Sequence, residues 1–139
     1  MKNLRILIVD DHEVVRRGLV ALLSTQADWE VVGEATSGPD AVKKVAQAQP
    51  DVVIMDITMP MMSGLDATRL IMETVPQTKI LIFTMHDSEQ MMQTALEAGA
   101  RGYVLKSNAA SDLVAAIRAL AKGETPLVSR TARYTPKIV

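Results

Sequence analysis

At 139 residues with a formal net charge of −1, the chain has room for one compact domain and lacks the basic excess of a free-standing DNA-binding domain. It has no Cys, which excludes disulfides, zinc ribbons, iron–sulfur clusters and thiol nucleophiles; with aromatic residues at 3%, any core must be aliphatic, built on Val, Ile, Leu, Ala and 9 Met. No apolar run approaches membrane-spanning length, and MKNLRILIVDD reaches acidic residues too early for a signal peptide, so the expected setting is soluble, away from membranes and cytoplasmic.

Taken in order, the chain alternates short apolar runs with segments of helical spacing. Leu4–Val9 reads as a first strand, followed by a helix carrying Val15, Leu19, Leu22 and Leu23 on one face. Asp10 and Glu13 have capping-box spacing, so on local grounds Asp10 is a candidate start for that helix. Val31–Ala35 is a second strand, and Ser37-Gly38-Pro39-Asp40 opens a second helix with a capping residue and Pro in the first turn. Val52–Met55 is a third strand, followed by a helix lined by Thr68, Ile71, Met72 and Val75. Ile80–Phe83 is a fourth strand, with a helix over Met92, Ala95 and Leu96 that stops at Gly99. Tyr103–Leu105 is a fifth strand, with a helix over Leu113, Ile117, Leu120 and Ala121 that stops at Gly123.

Apart from the second, these strands are nearly continuous apolar runs rather than alternating ones, the mark of parallel strands covered on both faces. Five alternating βα units predict an α/β fold: a doubly wound, five-stranded parallel sheet in the flavodoxin-like order 2-1-3-4-5, with five helices. Residues 124–139 differ. They contain Pro126 and Pro136, lack helical periodicity, and carry Arg130, Arg133 and Lys137 against Glu124, a net of +2 that leaves −3 for residues 1–123. They read as a tail or a linker behind a domain spanning 1–123.

In a doubly wound sheet, ligands bind at the carboxyl ends of the strands, where strand order reverses. The residues there are Asp10 and Asp11 after the first strand, Asp56 after the third, Thr84 at the fourth and Lys106 after the fifth. Two carboxylates about 4 Å apart repel by roughly 4 kcal/mol at an effective dielectric near 20. Lys106 offsets one charge; the rest calls for a hard divalent cation, Mg²⁺ above others, or for raised pKa values. Carboxylates, Mg²⁺, Lys and a hydroxyl together describe a phosphoryl-transfer site; the second strand ends in Thr36-Ser37, away from the reversal, so no Ser, Cys or His sits at a strand end where it could be the nucleophile, and an aspartyl phosphate is the simplest intermediate. Each residue alone has a plainer reading: Asp56 as a turn residue, Thr84 as a β-former, Lys106 as a solvated lysine, Tyr103 as packing, His12 and His86 as solvated loop residues. The weight lies in four strand ends supplying compatible chemistry at once.

ILIVDDHEVVRRGL, VVIMDITMPMMSGLD, ILIFTMHD and GARGYVLK, in this order and spacing, resemble the receiver domain of a two-component response regulator, closest to the NarL/FixJ type, which joins a receiver to a LuxR-like helix-turn-helix domain. The resemblance covers residues 4–122 and implies a bacterial signalling switch rather than an enzyme. It implies that Asp56 takes a phosphoryl group from a sensor histidine kinase. Asp11, Asp56 and the backbone carbonyl of Thr58 would bind Mg²⁺, with Asp10 supporting it through water. Thr84 and Lys106 would contact phosphoryl oxygens, and Tyr103 would report the state of Thr84. His86 and Thr58 are candidates to control the water that removes the phosphoryl group. DNA would be bound only through a C-terminal domain that this chain lacks. A phosphorylation-dependent homodimer is expected, through the first and fifth helices, with Arg16, Arg17 and Arg118 as exposed charges that could set the pairing. A stand-alone receiver, a Mg²⁺-dependent phosphohydrolase and a flavodoxin are the competing readings. The second lacks an insertion to build a cap; the third lacks a Ser/Thr/Gly phosphate loop, since the loop after the first strand reads DDHE.

Overall fold

The computed structural model describes residues 3–124. The elements run β1 (Leu4–Val9), α1 (Glu13–Leu23), β2 (Trp29–Ala35), α2 (Gly38–Ala48), β3 (Val52–Met55), α3 (Gly64–Thr74), β4 (Lys79–Thr84), α4 (Glu89–Ala98), β5 (Gly102–Leu105) and α5 (Ala110–Ala121). All strand pairs are parallel and the order is β2-β1-β3-β4-β5, as expected from the alternation. Of residues 124–139, all but Glu124 lie outside the described residues, and so does the expectation of a tail or linker there.

Alternation along each strand divides the core. Leu7 and Val9 of β1, Val53 and Met55 of β3, and Ile80 and Ile82 of β4 face α2, α3 and α4, where they meet Val45, Ile71 and Met92. Ile6 and Ile8, Val52 and Ile54, and Leu81 face α1 and α5, against Leu19, Leu23, Leu113 and Ile117. Both faces are therefore covered, which is why β1, β3 and β4 read as nearly continuous apolar runs. β2 is one of the two edge strands and, unlike β5, is only partly buried along its middle, so the run marks only its last residues and misses Trp29 and Glu30.

The helix starts follow from short-range chemistry at three of five positions. The hydroxyls of Ser37, Ser63 and Ser88 accept from the backbone N–H of Asp40, Asp66 and Met91 at α2, α3 and α4. Gly99 closes α4 at φ 115°, a left-handed conformation that favours glycine. Helix α1 departs from expectation. Its cap is His12, with no side-chain capping bond, and Asp10 does not start the helix. The Asp10 carboxylate instead accepts from His12 N–H and is drawn into the sheet end by a cation described below.

Candidate functional site

The strand order puts β1 and β3 side by side at the point where the chain's direction across the sheet reverses. Val9 pairs with Met55, and the Asp56 N–H donates to Val9 O at 3.0 Å, so Asp10 and Asp56 emerge together. Both are buried, at 1% and 5% exposure, although they are acids. A buried carboxylate without a counter-charge is costly. Lys106 supplies the charge: its Nζ donates to Asp10 Oδ2 at 2.7 Å and lies 3.2 Å from Asp56 Oδ2. β5 delivers it there, with Lys106 N–H bonded to Thr84 O at 2.7 Å.

The charge states follow from this arrangement. Burial, the largest influence, pushes the Asp56 carboxyl above the usual carboxylate range, and the Asp10 charge adds to it; the Lys106 charge and hydrogen bond and the Ile57 N–H only partly oppose this. For Lys106, burial works against the charged form. The hydrogen bond to Asp10 and the charges of Asp56 and Asp10 outweigh it, so its pKa ends above that of an ordinary lysine.

Asp11 stands at the rim, its side chain 31% exposed, with His12 Nδ1 at 3.1 Å from one carboxylate oxygen and 3.0 Å from Asp10 Oδ1. One ligand atom each from Asp10, Asp11, His12 and Asp56 lies within 4.8 Å of the other three. Oxygens on one octahedral Mg²⁺ are about 3 Å apart when adjacent and about 4 Å when opposite, given Mg–O distances of about 2.1 Å. The acidic set therefore fits a hard cation with small adjustments. From its sequence, His12 reads only as a solvated loop residue, but the structure places it with the acids. Its place among the acids follows from the turn Asp10 makes with His12 N–H, which is visible only once Asp10 is known not to cap α1.

The remaining expected residues gather one loop away. Thr84 is fully buried, and its hydroxyl accepts from His86 N–H at 3.2 Å. The Tyr103 ring points inward, 2% exposed, and its hydroxyl donates to His86 O at 2.6 Å. The His86 ring meets Thr58, with Nε2 at 2.9 Å from the hydroxyl. His86 thus joins the loop after β3, the end of β4 and the aromatic of β5. Sequence spacing offered Thr58 and His86 separately; their bond spans 28 positions and depends on side-chain rotamers.

Gly64 also belongs to the site, although its place in the sequence gives no warning. Its N–H donates to Ile57 O at 2.7 Å, and a Cβ there would sit 1.9 Å from Asp56 O. Only glycine lets α3 approach this closely and hold the turn that carries Asp56.

Two of the three arginines expected to be free for pairing are engaged within the chain. The Arg16 side chain is 13% exposed and bonded to Glu34. Arg118 stacks on Trp29, 4.9 Å from the ring centroid, and hydrogen-bonds Gln26. Arg17, 78% exposed, pairs with Glu13 one turn away and remains at the surface.

The family model for the response regulator receiver domain matches residues 6–118. The transcriptional regulatory protein LiaR of Bacillus subtilis is 41% identical over 129 residues, covering 93% of this chain and 61% of that protein. The oxygen regulatory protein NreC of Staphylococcus carnosus is 48% identical over 123 residues, covering 88% and 57%. A solved two-component response regulator of the LuxR family from Aurantimonas superposes with a TM-score of 0.91 at 38% identity, covering 96% of this chain and 95% of that one. The chain spans about three-fifths of the length of these curated relatives.

Proposed function

The chain belongs to the response regulator receiver family of two-component systems, and from that premise we propose that Asp56 is its phosphoacceptor. The observation that carries this reading is the clamp at the reversal of strand order, where Lys106 Nζ holds two buried carboxylates within 2.7 and 3.2 Å. One Asp56 oxygen attacks phosphorus; the O–P bond forms as the N–P bond of a kinase phosphohistidine breaks, and the imidazole nitrogen leaves with the electron pair. Asp56 must be ionised to attack, and Lys106 is the neighbour that favours that form.

Asp11, Asp56 and the carbonyl of Thr58 would hold Mg²⁺, with Asp10 assisting through water. When bound, the ion supplies positive charge against that of the incoming phosphoryl group. Lys106, already between the two acids, then contacts a phosphoryl oxygen. Thr84 gives up the His86 N–H and turns its hydroxyl to another, and Tyr103, bonded to His86 O, carries the change to the surface. No helix among the described residues is long and apolar enough to cross a membrane, and the setting proposed is the cytoplasm. Residues 1–123 act as the receiver and 124–139 as the link to a DNA-binding domain, since LiaR is named a transcriptional regulator. Phosphorylation would favour a homodimer through α1 and α5.

The test is labelling by a small acyl-phosphate donor. With Mg²⁺ the chain should gain one phosphoryl group, labile to base and to hydroxylamine, and EDTA should prevent it. Labelling that proceeds undiminished in EDTA would defeat the metal assignment.

The bridge from Thr58 to His86 bears on how long the group survives. Hydrolysis needs a water in line with the Asp56–phosphorus bond, and the imidazole is large enough to hinder that water and polar enough to hold it. His86→Ala should therefore change the rate of phosphoryl loss at least severalfold, and more than Thr58→Ala, which leaves the ring in place. Because the two side chains bond each other, the double variant should behave like His86→Ala alone. Decay followed after donor removal decides this; a His86 variant that decays at the wild-type rate would make His86 a surface contact only.

A further inference from the structure

Arg16 is the one charged side chain of α1 that folds back into the protein. Its guanidinium spans two elements. Nε donates to Glu34 Oε1 on β2 at 2.9 Å, and Nη1 donates to the backbone carbonyl of Asp10 at 2.7 Å. That carbonyl belongs to the peptide joining Asp10 to Asp11. The N–H of Asp10 is held from the other side by Ala35 O at 3.1 Å. Asp10 is thus held at its N–H, its carbonyl and both carboxylate oxygens.

Asp11 is different. Its side chain is 31% exposed and lies against the His12 ring, itself 64% exposed. The direction in which Asp11 points depends on the two peptide planes that flank it: Arg16 holds the one before, at Asp10 O, and the bond from His12 N–H to Asp10 Oδ1 holds the one after. We infer that Arg16 is a positioning residue that aims Asp11 at the cation site through the Asp10 carbonyl, with Glu34 holding the guanidinium in register. This rests on the proposed role of Asp11 as a Mg²⁺ ligand and adds to it a residue that touches neither metal nor phosphoryl group.

The chemistry permits a clear separation from simpler accounts. Arg16 also places a positive charge near the carboxylates, and removing a cation should by itself tighten Mg²⁺ binding. Removing the aim should weaken it. The two effects have opposite signs. Outer-shell partners of metal ligands change affinity by tenfold or more when lost, so the positioning effect is expected to dominate.

The experiment is a Mg²⁺ titration of the full chain by calorimetry and by the backbone amide shifts of Asp11 and His12, with melting curves for each variant. Wild type should bind, and Asp11→Asn should bind severalfold more weakly; absence of either result would defeat the reading on which this inference stands. Given both, Arg16→Ala should weaken Mg²⁺ binding by about tenfold and shift the Asp11 amide before any metal is added. Arg16→Lys keeps the charge but not the fork that reaches two acceptors, so it should restore little of the loss. Glu34→Gln, which leaves Arg16 without its ionic partner, should show a smaller change in the same direction and serves if Arg16→Ala folds poorly. Arg17→Ala, at an exposed neighbour, should bind as wild type. Overturning results are Mg²⁺ binding by Arg16→Ala as tight as or tighter than wild type, a lowered melting temperature with unchanged affinity, or full rescue by Lys.

Discussion

Asp56→Asn should lose essentially all labelling by an acyl-phosphate donor and, in the absence of metal, should melt at a higher temperature than wild type at neutral pH. The first effect is chemical, because an amide oxygen is too weak a nucleophile to displace at phosphorus. The second follows from burial. Desolvation raises the Asp56 pKa in the folded chain, so the stability linked to this group is present below the ordinary carboxylate range and is lost as pH rises through the raised value. At neutral pH the ionised side chain therefore costs stability that a neutral isostere does not. Lys106 keeps its 2.7 Å bond to Asp10 in the variant, so no cation is stranded. A gain of about 2–4 °C is expected at pH 7, shrinking as pH falls into the carboxylate range. Melting curves of both proteins between those limits measure it. A variant less stable than wild type at pH 7, or a difference that does not vary with pH, would mean that the Lys106 contact outweighs desolvation.

Lys106→Ala should be the most destabilising change at the site. It removes the cation shared by Asp10 and Asp56, whose side chains are only 2% and 6% exposed, and leaves two buried acids facing each other. Breaking a buried ion pair by deleting one partner costs about 3–5 kcal/mol. A loss near the lower figure is expected here, because Lys106 is itself 12% exposed and water can enter. Mg²⁺ should return part of the loss by binding the same acids. The raised Lys106 pKa sets the pH range: the clamp's contribution is intact below the ordinary lysine value and is lost as pH rises from there through the raised one. The variant should still label at Asp56, more slowly, yet fail to show the phosphorylation-dependent backbone shifts around Tyr103. Denaturant unfolding with and without Mg²⁺, together with those shifts, tests both halves. Full-size shifts in the variant, or unchanged stability without metal, would contradict the account.

The fold was legible because its signal is local and repeated. Three strands buried on both faces wrote themselves as nearly continuous apolar runs, and Ser37, Gly99 and Gly123 marked helix ends by local chemistry alone. The site was legible as a set of strand ends, because the topology fixes where Asp10, Asp56, Thr84 and Lys106 must emerge. What the sequence concealed depends on rotamers and close approach rather than on spacing. Asp10 matched a capping pattern at α1, but the pull of Lys106, 96 positions away, takes its carboxylate elsewhere. Arg16 and Arg118 looked like free surface charges until their partners Glu34, Asp10 O and Trp29 were in place. Gly64 is an ordinary glycine in sequence; only its contact with the Asp56 carbonyl explains it.

The proposal that Asp56 carries the phosphoryl group is tested most directly by mapping it. The chain is labelled with an acyl-phosphate donor and Mg²⁺, reduced with borohydride so that an aspartyl phosphate becomes homoserine, digested, and read by tandem mass spectrometry. The account predicts homoserine at position 56, absent when EDTA is present during labelling. Homoserine at Asp10 or Asp11 instead, or label on a residue outside the cluster, would contradict it.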